Sequence, residues 1–303
     1  MVLQKTKQFA NLHLHSTYSD GVYSPAELCA MVKEMGYSAV ALSDHETMSG
    51  CSAMKVAAEA EGLDFVMGIE TYAREFGRSF HILGYGCDPT ASLMAQYLRD
   101  AQDTAYRSTE AKFRVMQENG DAIGITWNDV LDLAPQNAWL CNEHIFAALV
   151  KYTGLAQKDY WSWIPTFRRA KTDIASAFVA YNAEKMIHVI RSSGGVAVLA
   201  HPHNQTQYLP DLYRYGLGGV ECDHPDINDD DVRAALAFAR EHNLYVTGGT
   251  DHTGYTGNHA DERGDVPSRN GGRGDGSLTP YDAYVTNGVS EADFYALKHR
   301  IYG

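Results

Sequence analysis

Short apolar runs in this chain end on histidine or carboxylate, and they do so from one end of it to the other. His13 and His15 lie two apart at the end of the first run, with Asp20 just beyond. Asp44-His45 ends the run over 38–42, Glu70 follows 65–69, and His81 lies within 79–84. His201 follows 196–200, and Asp251-His252 follows 244–249. Helix signals separate the runs. Ser24-Pro25-Ala26-Glu27 reads as an N-cap, a proline at the first helical position and a capping-box glutamate. An alanine-rich helix over 51–61 stops at Gly62, and 229–242 joins the last two runs as a helix. Strands alternating with helices, with polar chemistry at the strand ends, describe an α/β barrel that builds its site at one mouth.

The opening reads βαβαβ, which favours a parallel sheet. The rhythm breaks near residue 90. One or two long helices are predicted over 92–119, followed by polar loops and short helices to about 182; a helix over 183–193 restores the pattern. The expected architecture is an α/β barrel formed by 1–99 and 182–303, with a helical insertion at 100–181 perched on it as a candidate lid. All four tryptophans, Trp127, Trp139, Trp161 and Trp163, fall in the insertion. They read first as its own hydrophobic core, and second as aromatic surface for a bound base. Residues 254–276 form a Gly/Asp/Arg/Asn-rich loop without apolar period; its two Arg-Gly-Asp tripeptides are taken as loop composition.

The net charge of −13 argues against a large nucleic-acid partner, which would need Lys and Arg to neutralise phosphates. It is compatible with a small phosphorylated substrate, because bound divalent ions reverse the potential inside an acidic pocket. Five cysteines, Cys29, Cys51, Cys87, Cys141 and Cys222, form no CxxC pair and read as reduced thiols. Without an apolar leader, or a run near the roughly 18 residues that span a bilayer, the expectation is a cytoplasmic chain with no membrane partner.

Thirteen histidines are many for 303 residues. Imidazole with carboxylate, and no cysteine among the candidates, suits divalent Mn, Zn or Fe. On a strand, residues i and i+2 share a face, so His13 and His15 can reach one ion. Asp44 reads either as a carboxylate orienting a ligand histidine or as a turn cap.

His-x-His-x4-Asp-Gly, Ser-Asp-His, Gly-Ile-Glu, His-Ile-Leu-Gly-Tyr, Ala-His-Pro and Gly-Thr-Asp occur in that order. Together they resemble the PHP (polymerase and histidinol phosphatase) family of metal-dependent phosphoesterases, over 9–88 and 183–254. The insertion resembles the branch that includes nucleoside 3′,5′-bisphosphate phosphatases. The resemblance implies a distorted seven-stranded (β/α) barrel holding two or three divalent ions. His13, His15, Glu70 and Asp251 would hold the first; Glu70 would bridge to a second on His81 and His201; Asp20 and His45 would hold a third with a histidine of the last motif. That motif departs from the family pattern. Relatives have Gly-Ser-Asp-x-His-Gly, whereas Thr253 stands here at the histidine position and His252 one residue early. His252 is the candidate replacement.

The implied chemistry is in-line attack of a metal-bridging hydroxide on phosphorus, with His13, His15, Glu70, Asp251 and His224 as the catalytic group. His203, His224, Arg168 and Arg169 are the candidate substrate contacts. His203 stands where relatives often carry glycine, and the insertion motif Leu140-Cys141-Asn142-Glu143-His144 lacks the family's arginine. The leading substrate is a nucleoside 3′,5′-bisphosphate and the second a small cyclic phosphodiester. An amide or lactone hydrolase and a metal-loaded binding module whose catalysis has decayed are the rivals.

Overall fold

The computed structural model describes residues 8–174, 178–179, 181–254 and 287–303. The 254–276 loop with its Arg-Gly-Asp tripeptides, and His259, lie outside the described residues, Gly254 excepted.

Seven strands form one sheet in sequence order: β1 Ala10–Asn11, β2 Ala39–Leu42, β3 Asp64–Glu75, β4 Arg78–Tyr85, β5 Val196–Leu199, β6 Gly219–Asp223 and β7 Tyr245–Gly248. The segment after β7 returns to the segment after β1. The Leu12 amide donates to the Gly248 carbonyl at 3.1 Å, the Asp251 amide to the His13 carbonyl at 2.9 Å, and the His15 amide to the His252 carbonyl at 3.1 Å. The sheet therefore curls into a nearly closed barrel. Gly249 is required at this closure, because a Cβ there would meet the His13 amide nitrogen at 2.4 Å.

The sheet is not wholly parallel, contrary to the expectation from the βαβαβ start. β3 pairs antiparallel with β4, and β4 antiparallel with β5. Phe76 and Gly77, both at positive φ (51° and 71°), close the β3–β4 hairpin, as a two-residue loop of the I′ kind requires. The reversal matters for the site. His81 lies near the start of β4, and only because β4 runs backwards does its start reach the mouth where the other strands end.

The apolar runs are continuous because both faces of the strands are buried. On β2, Ala39 and Ala41 point into the barrel, while Val40 and Leu42 face α1 (Pro25–Glu34) and α2 (Cys51–Glu61). On β5, Val196 and Val198 point inward, and Ala197 and Leu199 pack outward with Met186, Ile187 and Ile190 of α7 (Ala183–Ser192). Alanines on the inner face suit the narrow lumen. Phe294 and Leu297 of α10 (Glu291–Tyr302) pack into the same inner cluster.

The insertion begins within one uninterrupted helix, α3 Ser92–Glu118. Met94 and Tyr97 near its start pack in the barrel core; Phe113 and Met116 near its end pack with α4 (Trp127–Leu131), α5 (Asn142–Thr153) and α6 (Tyr160–Arg169). The expected boundary at residue 100 thus falls inside a helix shared by both units. Trp127, Trp161 and Trp163 pack against the insertion core, whereas Trp139 clusters separately with Ala105, Cys141 and Phe178. The remaining helices are α8 Leu209–Tyr215 and α9 Asp229–His242.

Candidate metal centre

Glu70 is the hub. Its carboxylate is fully buried, and five imidazoles meet its two oxygens. His81 Nδ1 lies 2.9 Å and His201 Nε2 3.1 Å from Oε1. His45 Nδ1 at 3.1 Å, His15 Nε2 at 3.3 Å and His13 Nε2 at 3.4 Å face Oε2. Strand register explains the convergence. Glu70 opposes Leu83 and Tyr72 opposes His81 on the β3–β4 hairpin, so Glu70 and His81 are diagonal neighbours on one face. His45 pairs directly with Glu70 in an extension of β2 against β3.

Asp251 supplies the second carboxylate. Its Oδ1 lies 3.0 Å from His15 Nε2 and 3.5 Å from His13 Nε2. Its backbone has φ of 51° and that of His201 has 24°, left-handed conformations uncommon outside glycine. Such strain concentrates at functional sites. His13, His15, Glu70 and Asp251 each bring one ligand atom within 4.8 Å of the others, as do His45, Glu70 and His81.

The electrostatics are those of a cation site. Burial disfavours charge on Glu70, but His81, His45 and His13 outweigh it and hold the carboxyl well below its ordinary range. Burial also opposes protonation of His13, yet Glu221, Glu70 and Asp251 raise its proton affinity well above normal. Partial burial likewise disfavours charge on Asp251, but His13, His15 and His224 outweigh it and hold the carboxyl well below its ordinary range. His13 Nε2, both nitrogens of His15 and Glu70 Oε2 are buried without a well-formed hydrogen bond. Buried polar atoms are rarely left this way. Divalent ions seated among these imidazoles and carboxylates would satisfy them, and the donor set fits.

Two carboxylates orient the ligands from behind. Glu221 on β6 accepts from His13 Nδ1 at 3.0 Å, and its other oxygen accepts the His201 amide at 2.7 Å. Sequence reasoning passed over Glu221, although a carboxylate inside the apolar stretch Gly219-Val220-Glu221-Cys222 is the signal that marked Glu70. Asp44 touches no ligand histidine by a hydrogen bond. It accepts from the Ser16 amide (2.6 Å) and from the hydroxyls of Ser16 and Ser19 (both 2.7 Å), and so pins the loop that carries His15 and Asp20. Gly21 is needed in that loop, since a Cβ would meet the His15 carbonyl oxygen at 2.3 Å.

Around Asp20 the structure brings together part of the expected third group: His15, Asp20 and His45 each bring one ligand atom within 4.8 Å of the others. Asp20 Oδ1 lies 3.1 Å from His15 Nδ1, and Oδ2 3.7 Å from His45 Nε2. Burial opposes charge on Asp20, but His15 and His45 lower its carboxyl to about 2. His252 does not join them. Its ring is buried and stacked on Tyr23 at 5.7 Å, and it belongs to none of the ligand groups among the described residues. Its carbonyl is spent on the His15 amide.

The other expected contacts divide. His224 is buried beside the cluster, with Nε2 at 3.3 Å from Asp251 Oδ2. The Asp226 amide donates to its Nδ1 at 3.0 Å. Burial opposes protonation of His224, but Glu221 and Asp251 raise its proton affinity; with Nδ1 accepting, its proton sits on Nε2 and faces the site. His13, Glu221 and His224 also each bring one ligand atom within 4.8 Å of the others. His203 is tied instead to Asp231, with Nδ1 at 3.5 Å from Oδ2, and Asp231 also accepts the Asn204 amide at 2.9 Å in the same loop–helix knot. Arg168 lines a cavity of about 590 Å³ together with Asp20 and His45. Arg169 does not; it pairs with Asp121. Adjacent residues on a helix cannot share a face.

The PHP domain family matches residues 11–202 of this chain. The phosphoribosyl 1,2-cyclic phosphate 1,2-diphosphodiesterase of Eggerthella lenta is 30% identical over 254 residues, covering 82% of this chain and 95% of the relative. The chain belongs to the PHP family. It is a metal-dependent phosphoesterase of that family, whose members differ in substrate. A 5′-3′ exoribonuclease of Haemophilus influenzae is 30% identical, with 81% of this chain and 90% of the relative covered. A 3′,5′-nucleoside bisphosphate phosphatase of Chromobacterium violaceum is 26% identical, with 80% and 86% covered. In fold, the PHP chain superposes on a Bifidobacterium adolescentis protein named as a metal-dependent phosphoesterase, with a TM-score of 0.74, 24% identity and 97% of both chains covered. Among the described residues no helix is long and apolar enough to cross a membrane.

Proposed function

We propose that this PHP chain hydrolyses a small phosphorylated metabolite, with a nucleoside 3′,5′-bisphosphate as the leading substrate. The observation that carries the reading is the set of five histidines on the two oxygens of Glu70, beside a cavity of about 590 Å³. That volume suits a mononucleotide-sized ligand. A small cyclic phosphodiester is the second reading, favoured by the name of the Eggerthella relative at 30% identity. The names of the exoribonucleases place a short RNA 5′ end in the test panel as well, although the charge of −13 weighs against extended contact with nucleic acid.

Divalent ions bound by His13, His15, Glu70 and Asp251, and by Glu70 with His81 and His201, would supply Lewis-acid charge for phosphoryl oxygens and acidify water at neutral pH. We take Mn, Zn or Fe as the candidates. The protein's own part is positional and protic. Glu221 holds Nδ1 of His13, which leaves Nε2 facing Glu70. His224 presents its Nε2 proton beside Asp251, within reach of a departing alkoxide.

The test is phosphate release from a panel of nucleoside bisphosphates, cyclic phosphates, short 5′-phosphorylated RNA, amides and lactones, with Mn, Zn or Fe supplied. Turnover of phosphate esters, bisphosphate foremost, is the expected result. Turnover of amides or lactones alone would replace the reading, and metal retention with no turnover at all would make the chain a binding module.

A further inference from the structure

The cavity beside the metal centre is lined by two donors that the reaction at phosphorus does not use. Lys112, near the C-terminal end of α3, is half-buried in the cavity wall. Its ammonium makes one hydrogen bond, to Asn142 Oδ1 at 2.9 Å, and no carboxylate lies within ion-pair distance among the described residues. The nearest acid on that wall, Glu143, accepts from the Tyr160 hydroxyl. Burial lowers the proton affinity of Lys112, and Glu143 only partly restores it. An ammonium has three N–H donors, and a partly desolvated cation without a counter-ion is costly unless an anion arrives. The second donor is Trp139. It is 4% exposed, lines the same cavity, and its indole N–H has no hydrogen-bond partner. Its ring stands 5.8 Å from that of His45, so it lies between the metal centre and the insertion wall. Arg168 and Lys171 also line the cavity. The Lys112 ammonium and the Trp139 N–H both require acceptors, and they border a space that His45 and Asp20 also line.

We propose that Lys112, with the Trp139 indole N–H, forms a subsite for a second phosphate of the substrate, apart from the one cleaved at the metal centre. This rests on the reading of the chain as a phosphoesterase and narrows it to substrates bearing two phosphates separated by a sugar-sized spacer. A simple monoester would leave the subsite unfilled. The residues concerned lie on α3 and on the loop before α5, so the insertion supplies specificity while the barrel supplies the chemistry.

The experiment measures binding and turnover separately, on the full-length metal-loaded protein. Adenosine 3′,5′-bisphosphate is compared with adenosine 3′-monophosphate and adenosine 5′-monophosphate by calorimetry, and phosphate release is followed in parallel. Bisphosphate is expected to bind about 10- to 100-fold more tightly than either monophosphate, the range of one charge-assisted contact. Lys112→Met removes that advantage and leaves the monophosphates within about threefold. Lys112→Arg keeps most of it, and Trp139→Phe loses a smaller part, which shows that the losses are not misfolding. Equal binding of all three nucleotides by the unaltered protein, or an equal loss for all three in Lys112→Met, overturns the subsite. Absence of phosphate release alongside Lys112-dependent bisphosphate binding would overturn the hydrolase reading while upholding the subsite.

Discussion

His13 donates from Nδ1 to Glu221 at 3.0 Å, and this bond decides which of its nitrogens is offered to Glu70. A carboxylate behind a ligand histidine fixes the tautomer and raises the basicity of the other nitrogen. Glu221→Gln keeps the shape but gives up the charge. It is expected to weaken metal affinity about 10- to 100-fold and to lower turnover, with the fold retained. Metal titration with circular dichroism on the same sample checks this. Unchanged affinity would reduce Glu221 to a core residue.

Glu70 is a different case, because both of its oxygens are engaged. Glu70→Gln replaces one oxygen by an amide that cannot accept from His81 and His201 on one side and from the other three rings on the opposite side. Activity is expected to disappear and bound metal to fall by at least one ion per chain, as measured by elemental analysis after gel filtration. Full turnover by this variant would remove the bridge from the scheme.

Ion count follows from His252. With its ring stacked on Tyr23, only Asp20 and His45 remain of the three expected third-site residues. The residue that stands third beside them is His15, which already faces Glu70 and Asp251, with its Nδ1 3.1 Å from Asp20. The protein is therefore expected to hold two ions per chain, and His252→Ala to leave that number unchanged. A stoichiometry of three that drops to two in His252→Ala would return His252 to the ligand set.

How much of this could be read in the sequence depends on whether a residue's signal was local. Buried carboxylates and histidines at strand ends announce themselves, since such groups are rarely placed there without partners. Hence Glu70, His81, His201 and Asp251 were legible as candidates, and so was α2, whose stop is written in Gly62. The antiparallel hairpin was not, because Phe76-Gly77 lacks the polar turn signature and a short connection looked like the continuation of a parallel pattern. Arg168 and Arg169 could not be separated without the helix phase. Lys112 was invisible for another reason: one lysine on a long polar helix reads as solvated, and only the fold shows that it borders a cavity.

His144 gives a pH dependence of stability. It is buried in α5, accepts the Cys141 amide on Nδ1 at 3.3 Å and donates from Nε2 to the Thr17 carbonyl at 3.2 Å, so it latches the insertion to the loop that holds Asp20. Burial lowers its proton affinity from 6.5 to about 4. The unfolded chain then binds more protons than the folded one between these values, so the contribution is complete above pH 6.5 and is lost as pH falls toward 4. At 1.36 kcal/mol for each tenfold in proton affinity the loss is limited to about 3 kcal/mol. His144→Gln should flatten the fall in denaturation midpoint between pH 6.5 and 4.5. An unaltered slope would assign that fall to other groups.

The role of His224 can be separated from that of the ligands. Because the Asp226 amide occupies Nδ1, the proton on Nε2 is available to a leaving group beside Asp251. His224→Gln is expected to leave the ion count intact and to slow hydrolysis of a ribose phosphate by about 10²- to 10⁴-fold, the usual worth of a general acid. With p-nitrophenyl phosphate, whose leaving group departs without a proton, the loss should shrink to a fewfold. The comparison of the two esters distinguishes proton donation from simple disruption of the site. An equal loss for both esters, with metal retained, would make His224 a residue that holds Asp251 in place.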